Sequence, residues 1–337
     1  METSGASTVP VSVVIPAYNA ESFIGAAIES VRVQTSLPAE VIVVDDGSTD
    51  RTAEIASQAG ARVVTQRNSG PSAARNAGVD AASSPWIAFL DADDRWAPDK
   101  LESQSAAISR WPDLGFCISD YAVVQPGGIV EASLCEDPDY RTIGREAIAG
   151  AAVRFERSSF LRAFIRSMFL RQSSALVKRE LFLQSGGYDS RFRLAEDYDL
   201  FLRLASVAPA AAIERPLVEY VRSADSLSAD RLAEIWSIDA LWEWILAAPE
   251  RYPEPIGELV ALQRAATLRR GVRIAMRQGR FAEAQPFLEK LRAIDGSRST
   301  VALDMLLGAL RSPLGRPLHR AARTIWRLRP RGAGARS

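Results

Sequence analysis

Three carboxylates in four positions, Asp91, Asp93 and Asp94, follow the uncharged run Trp86-Ile-Ala-Phe-Leu90. Like charges at such range repel and raise one another's pKa, so the cluster is costly to fold without a cation among it. Hard divalent ions such as Mg2+ or Mn2+ take carboxylates together with water and substrate phosphates. The competing reading of the same residues is a solvated acidic turn, with Asp94 capping the helix that follows. A D-x-D by itself leaves both readings open. The apolar run before it has the character of a strand buried on both faces inside a parallel α/β sheet. Ligands of such sheets bind at the carboxyl ends of the strands, where the carboxylates stand.

The elements that hold this strand are readable on either side of it. Val11-Ser-Val-Val-Ile15 is a second buried strand, broken at Pro16-Ala-Tyr-Asn19. Residues 20–34 place Phe23, Ile24, Ala27, Ile28 and Val31 on one helical stripe. Strands are expected at 41–44 and 61–65, with a helix to about Ser57 between them and a small-residue helix from Pro71 to about Ala81. Strands alternating with helices at this spacing predict a parallel sheet with right-handed crossovers. The glycines form neither G-x-G-x-x-G nor G-x-x-x-x-G-K-[ST], which argues against an ordinary dinucleotide or P-loop site. Polar residues nonetheless crowd the strand ends: Asn19, Asp46, Asn68, Arg75, Asp91 and Asp93.

Composition narrows the class. Lys plus Arg and Asp plus Glu both number 41, so there is no overall basic field for nucleic acid. Two cysteines, Cys117 and Cys135, match no metal or redox spacing and read as ordinary buried or half-buried thiols. The first ten residues lack a signal-peptide pattern and no run approaches the ~18 apolar residues of a spanning helix. A cytoplasmic protein is expected, possible association with the inner face of the membrane being left to the C-terminal tail.

Four segments together make a resemblance specific: Val-Ile-Pro16-Ala-Tyr18-Asn19, Val-Val-Asp45-Asp46-Gly-Ser-Thr-Asp50, Asn68-Ser-Gly-Pro-Ser-Ala-Ala-Arg75-Asn76-Ala-Gly78 and Phe-Leu-Asp91-Ala-Asp93-Asp94. In this order, within the first hundred residues, they resemble the successive motifs of family 2 glycosyltransferases. The resemblance implies a GT-A fold, a nucleoside diphosphate sugar donor, expected to be UDP-linked, and inverting transfer assisted by Mn2+ or Mg2+. By the same analogy Pro16 and Tyr18 border the base, with Asn19 beside them, and Asp46 accepts a hydrogen bond from the base. Asn68 and Arg75 lie near the nucleotide and its phosphates. Asp91 faces the ribose and metal waters, and Asp93 ligates the metal. Asp45 reads more simply as a turn former.

A helix is expected from Pro98 to about Arg110, a strand at 115–124 and a tight turn at Pro126-Gly127-Gly128. The pattern then weakens, and 131–166 offers two candidate helices and no recognisable site. Gly186-Gly-Tyr-Asp189 and Glu196-Asp197-Tyr-Asp199-Leu200 resemble two further elements of the family, and the stripe Leu200, Phe201, Leu204 starts a helix near Glu196. By resemblance Asp197 is the general base, which an acceptor hydroxyl requires because it is a poor nucleophile. The helix N-terminus is expected to keep Asp197 ionised at neutral pH. Glu196 is expected to orient the loop or touch the acceptor. Around Tyr220-Val-Arg222-Ser223, family members often carry a histidine where this chain has Ser223. Arg222 remains available to neutralise the leaving diphosphate. The single histidine, His319, is far off in the tail.

Beyond about Asp230 the composition turns helical: 232–247 with three tryptophans, the Arg-rich 259–278, then 281–294 and 300–310. The tryptophans read most simply as core. From Pro313 the chain is basic with interleaved Leu318, Ile325, Trp326 and Leu328, a pattern that suits peripheral contact with an anionic membrane or a free basic tail. The expected organisation is therefore α/β: a disordered N-terminus (1–10), a GT-A domain with a mostly parallel central sheet flanked by helices (11–228, nucleotide half 11–97, acceptor half 98–228), a helical extension (229–311) and a basic amphipathic tail (312–337). The expected partners are the sugar nucleotide and a glycan or lipid-linked acceptor. The alternative of another class is a nucleotide-sugar-binding scaffold with little turnover.

Overall fold

The computed structural model describes residues 7–125, 128–130, 134–192, 194–221, 230–248, 252 and 255–295. They divide into two compact units, the first reaching Val221 and including Tyr252, Pro255 and Ile256, the second formed by 230–248 and 257–295. Residues 300–310, Arg222, Ser223 and the basic tail, on which several expectations rest, lie outside the described residues.

In the first unit the alternating apolar runs become β1 (Ser7–Ala17), α1 (Ile24–Arg32), β2 (Ser36–Asp45), α2 (Thr52–Gln58), β3 (Arg62–Thr65), α3 (Pro71–Ala81) and β4 (Trp86–Phe89). These four strands stand in the order β3-β2-β1-β4 and every neighbouring pair is parallel. β1 begins at Ser7, so residues 7–10 belong to a strand rather than to a disordered leader. Ile87, Ala88, Phe89 and Leu90 have no exposed surface, as a central strand covered on both faces requires. Helix α3 lies close on the sheet because Gly78 allows it: a Cβ there would stand 2.3 Å from Val14 Cγ1.

The chain continues through β5 (Arg95–Trp96), α4 (Lys100–Arg110), β6 (Phe116–Gln125), β7 (Gly128–Val130), β8 (Arg145–Ala149), β9 (Ala152–Phe155), α5 (Arg157–Ser167), β10 (Leu176–Lys178), α6 (Arg179–Gln184), α7 (Glu196–Val207) and β11 (Ala210–Val221). The sheet extends as β4-β10-β6-β11-β9-β8. β10 enters antiparallel to both β4 and β6, and β9 runs antiparallel to β11, so this half of the sheet is mixed. Within 131–166, where two helices are expected, the described residues form one α-helix, α5, preceded by the hairpin β8–β9, closed at Gly150 with φ 61. Cys117 is buried and Cys135 half-buried, both as free thiols.

The second unit contains α8 (Arg231–Ala247), α9 (Gly257–Gln278) and α10 (Phe281–Ile294). Ile235, Leu268, Val272, Phe287 and Leu291 form its core, and Trp236 stacks on Phe287 at 3.9 Å. Trp242 is fully buried, as the core reading of the tryptophans requires. Asp239, also fully buried, receives Arg264 at 2.8 Å and Lys290 at 2.6 Å, the compensation that a buried carboxylate needs. No helix among the described residues is long and apolar enough to cross a membrane.

Candidate active site

The acidic cluster follows directly on the carboxyl end of β4, an interior strand of the sheet. Asp94 does not cap a helix. It is buried, accepts a hydrogen bond from Ser173 Oγ at 2.5 Å and another from the Val221 N–H at 3.0 Å, and its own N–H reaches the Asp91 carbonyl at 3.0 Å. The Asp91 N–H in turn donates to Ser173 Oγ at 3.0 Å. Ser173 thus clips both ends of the turn that displays Asp93. Burial, then Asp91 and Asp93, raise the Asp94 carboxyl well above its usual range. Burial, then the neighbouring Asp91, push the half-exposed Asp93 up to about 6.

Arg75, buried on α3, joins this end of the sheet to a segment more than a hundred residues later. It pairs with Asp91 Oδ1 at 2.7 Å and with Glu196 Oε1 at 3.2 Å, and lies 5.4 Å from the centre of the Tyr188 ring. Burial alone would favour the neutral form of Arg75, but Asp91, Tyr188 and Glu196 outweigh it and hold the guanidinium charged. The residue expected near the phosphates is therefore engaged by two carboxylates, with its Nε buried and unpartnered among the described residues.

Helix α7 opens with Glu196 and Asp197, and the two side chains divide their work. Glu196 turns to Arg75. Asp197 makes only a bond from the Tyr198 N–H, at 2.9 Å, among the described hydrogen bonds of its carboxylate. Burial pushes Asp197 up to about 6, opposed by Arg75, that N–H and Arg171. The helix N-terminus is expected to favour the ionised carboxylate; burial works against it and raises the carboxyl. Burial and the adjacent Asp197 push Glu196 up to about 7. Asp199, the last acid of this segment, is structural: Arg203 binds it at 2.5 Å and reaches the carbonyls of Ser185 at 2.6 Å and Gly187 at 2.8 Å.

The Gly-Gly-Tyr-Asp loop is tied to α3 by a two-way bond. Asn76 Nδ2 donates to the Tyr188 carbonyl at 2.9 Å, and the Tyr188 N–H donates to Asn76 Oδ1 at 2.9 Å. Gly187 has φ 67, and a Cβ there would stand 2.7 Å from Asn76 Oδ1, whereas at Gly186, φ 86, it would meet open space. Gly187→Ala is therefore expected to destabilise the protein more than Gly186→Ala, by at least ~1 kcal/mol beyond the shared left-handed strain. Equal losses in thermal denaturation of the two variants would remove the Asn76 contact from the account.

The remaining expected residues gather at the ends of β1, β2 and β3. Pro16 is buried, and Tyr18 is half exposed to solvent. Asn19, at φ 48, accepts from the Thr49 N–H at 2.9 Å and donates its own N–H to Ser48 Oγ at 2.9 Å. Asp46 is buried and accepts from Gln66 Nε2 at 2.7 Å and from the Ser69 and Gly70 N–H groups at 2.8 Å each, leaving about one of its four acceptor positions for a ligand. Asn68 is exposed beside it. Asp45 does form the turn, accepting the Ser48 N–H at 3.2 Å.

Sequence reasoning missed Ser173, Arg171 and the linking role of Asn76. Arg171, kept charged despite burial by tyrosines 198, 121 and 220 and by Asp197, lies over the Tyr121 and Tyr220 rings at 5.2 and 5.5 Å. Nothing around Arg171 or Ser173 repeats or alternates, whereas Asn76 stood inside a quoted motif and needed only its partner.

Among the described residues no three His, Cys, Asp or Glu side chains are grouped to hold a metal. With Asp94 occupied by Ser173 and Val221, and one Asp91 oxygen by Arg75, the protein offers Asp93 and the remainder of Asp91. That donor set does not make a cage. It does fit an oxygen-seeking ion that keeps its waters and arrives with a diphosphate.

The sequence profile described as Glycosyl transferase family 2 matches residues 12–170. The chain is 32% identical over 330 residues to the succinoglycan biosynthesis protein ExoO of Rhizobium meliloti, covering 93% of this chain and 87% of that protein. It spans only 16% and 61% of the length of two other curated relatives, both called uncharacterized glycosyltransferases. Among solved structures, S. aureus TarS 1-349 in complex with UDP superposes with a TM-score of 0.60 at 19% identity, covering 94% of this chain and 91% of that one. The mannosyltransferase PcManGT of Pyrobaculum calidifontis, in complex with GDP-Man and Mn2+, gives 0.53 at 20% identity, covering 94% and 83%. These likenesses establish the GT-A fold of the chain.

Proposed function

The chain belongs to glycosyltransferase family 2, and on that premise we propose that it moves a sugar from a nucleoside diphosphate donor to an acceptor hydroxyl, with inversion, in the assembly of a cell-surface polysaccharide or glycolipid. The observation that carries this reading is Arg75, whose two ion pairs bring Asp91 and Glu196 to one guanidinium. That convergence supports a single site for the carboxylates beside them, Asp93 and Asp197, as a transfer that grips a diphosphate and deprotonates a hydroxyl requires. Asp197 takes the acceptor proton; Asp93 and Asp91 hold a divalent ion, Mn2+ or Mg2+, which when bound neutralises charge on the leaving diphosphate. Asp46, Asn68, Pro16, Tyr18 and Asn19 receive the nucleoside, and Arg222 assists at the diphosphate. A UDP-linked donor is the first choice, supported by the UDP complex of TarS, with the GDP-Man complex of PcManGT marking the second. The polysaccharide context is supported by the name of the Rhizobium meliloti relative.

The test is a thermal-shift screen of nucleoside diphosphate sugars with and without Mn2+, since a true donor stabilises the fold by mass action. One donor is expected to raise the melting temperature, and more so with the ion. Asp93→Asn is expected to abolish the extra Mn2+ increment and to lower transfer by at least ~10²-fold. Metal-dependent donor affinity should also fall as the pH drops through about 6, where Asp93 takes up its proton. A donor that binds equally well with and without metal, and equally to Asp93→Asn, contradicts the assignment. Donor binding without turnover under any condition favours the scaffold reading.

A further inference from the structure

The second unit carries a surface that the transfer reaction does not use. From Leu259 to Gln278 helix α9 contains five arginines and no acidic residue. Two of the five serve the unit itself: Arg264 pairs with buried Asp239 at 2.8 Å, and Arg269 pairs with Asp295. Arg270, Arg273 and Arg277 face solvent. The side chains of Arg270 and Arg273 have neither an ion pair nor a hydrogen bond to any described residue. At 3.6 residues per turn these three fall with Leu259, Leu262 and Ala266 inside one arc of about 80°. Leu262, at 70% exposure, is the most exposed of the large hydrophobic side chains described. The stripe is thus apolar at its N-terminal half and cationic at its C-terminal half.

A helix face that merely meets water usually mixes signs, because like charges three and four residues apart repel. Two arginines without a described ion pair, Arg270 and Arg273, on one face with a protruding leucine call for an anionic surface with an apolar layer beneath it. Residues 296–337, which follow this unit, are a poor source of the anion: they hold nine arginines against one acid, Asp304. We propose that the exposed stripe of α9 is a docking surface for an anionic phospholipid bilayer, Arg270, Arg273 and Arg277 lying among the headgroups and Leu262 entering the interface. The opposite face of α9, with Val260, Leu268, Val272 and Ala275, is committed to the core of the unit. Contact is therefore adsorption of a folded surface, held chiefly by charge and weakened by salt, and not insertion of an amphipathic helix.

Full-length protein is mixed with vesicles of equal parts phosphatidylglycerol and phosphatidylcholine, and with phosphatidylcholine alone, and the bound fraction is measured by flotation. Binding is expected on the anionic vesicles only. Each arginine contributes roughly fivefold to partitioning at such a surface, so R270Q/R273Q should lower it about 25-fold, and Leu262→Asp should lower it further, with thermal melting of both variants unchanged. A matched control, R320Q/R323Q, reports the share of the C-terminal tail. The proposal is overturned if R270Q/R273Q partitions like the wild type while the tail control does not. It is equally overturned if the protein captures dextran sulfate but stays off the vesicles, which would assign the row to a soluble polyanion.

Discussion

Asp197→Asn is expected to lower the transfer rate by at least ~10²-fold, and up to ~10⁴-fold, while leaving donor affinity nearly unchanged. The asymmetry follows from position. Asp197 stands at the first turn of α7, and the carboxylate has no described bond to the segments expected to hold the nucleoside or diphosphate. In the proposed mechanism its task is the acceptor proton, so removing its basicity should reduce kcat and spare donor binding. The pH profile supplies a second reading. A base must be ionised to act, and burial has pushed Asp197 up to about 6. Wild-type activity should therefore fall as the pH drops below about 6 and level off above it. At saturating donor and Mn2+, where the Asp93 effect on donor affinity is suppressed, the residual activity of Asp197→Asn should lack that limb. An Asn variant that keeps wild-type rates assigns the base elsewhere, and one that keeps the acid limb assigns the limb to another group.

Arg75→Met should be the most destabilising single change in the site. It leaves Asp91 and Glu196 without their shared cation in a place where Glu196 is largely withdrawn from water. Breaking a buried pair by removing one partner costs about 3–5 kcal/mol, roughly 10 °C in melting temperature for a unit of this size. The sign of the pH dependence identifies the cause. Without Arg75 the carboxyls are expected to bind protons more tightly in the folded state than in the unfolded one. That contribution to stability is present at low pH and disappears as the pH rises through the folded pKa. The deficit of Arg75→Met should therefore be smaller near pH 5 than near pH 8. A deficit equal at both values means lost packing, not uncompensated charge. Activity should fall with stability, since the same guanidinium holds the start of α7 against the end of β4.

The parts of this site that were legible in the sequence are those that leave a local trace. An uncharged run ending in carboxylates announces β4 and its cluster, because burial on both faces selects apolar residues at every position. Polar strand ends and the Pro71 start of α3 are equally local. The start of α7 at Glu196 could be placed from the stripe that follows it. What could not be read is contact across sequence distance. The pairing of Arg75 with Glu196 spans 121 positions and imposes no period on either segment. Ser173 lies between a helix and a strand of three residues, too short to show alternation, so neither β10 nor its antiparallel insertion was foreseeable. The hairpin β8–β9 could not be placed within 131–166 because its first strand, 145–149, is mostly exposed and carries mixed charge without alternation. The environment of Asp197 shows the same limit: a helix N-terminus is visible in sequence, whereas the desolvation that works against it depends on neighbours that only the fold supplies.

The most direct measurement of the central claim is the anomalous scattering of Mn2+ in crystals of Asp197→Asn grown with UDP and the ion. One metal peak is expected within ligand distance of Asp93, with the side chain at position 197 lining the same site. A metal bound away from Asp93, or a residue 197 walled off from the nucleotide, would contradict it.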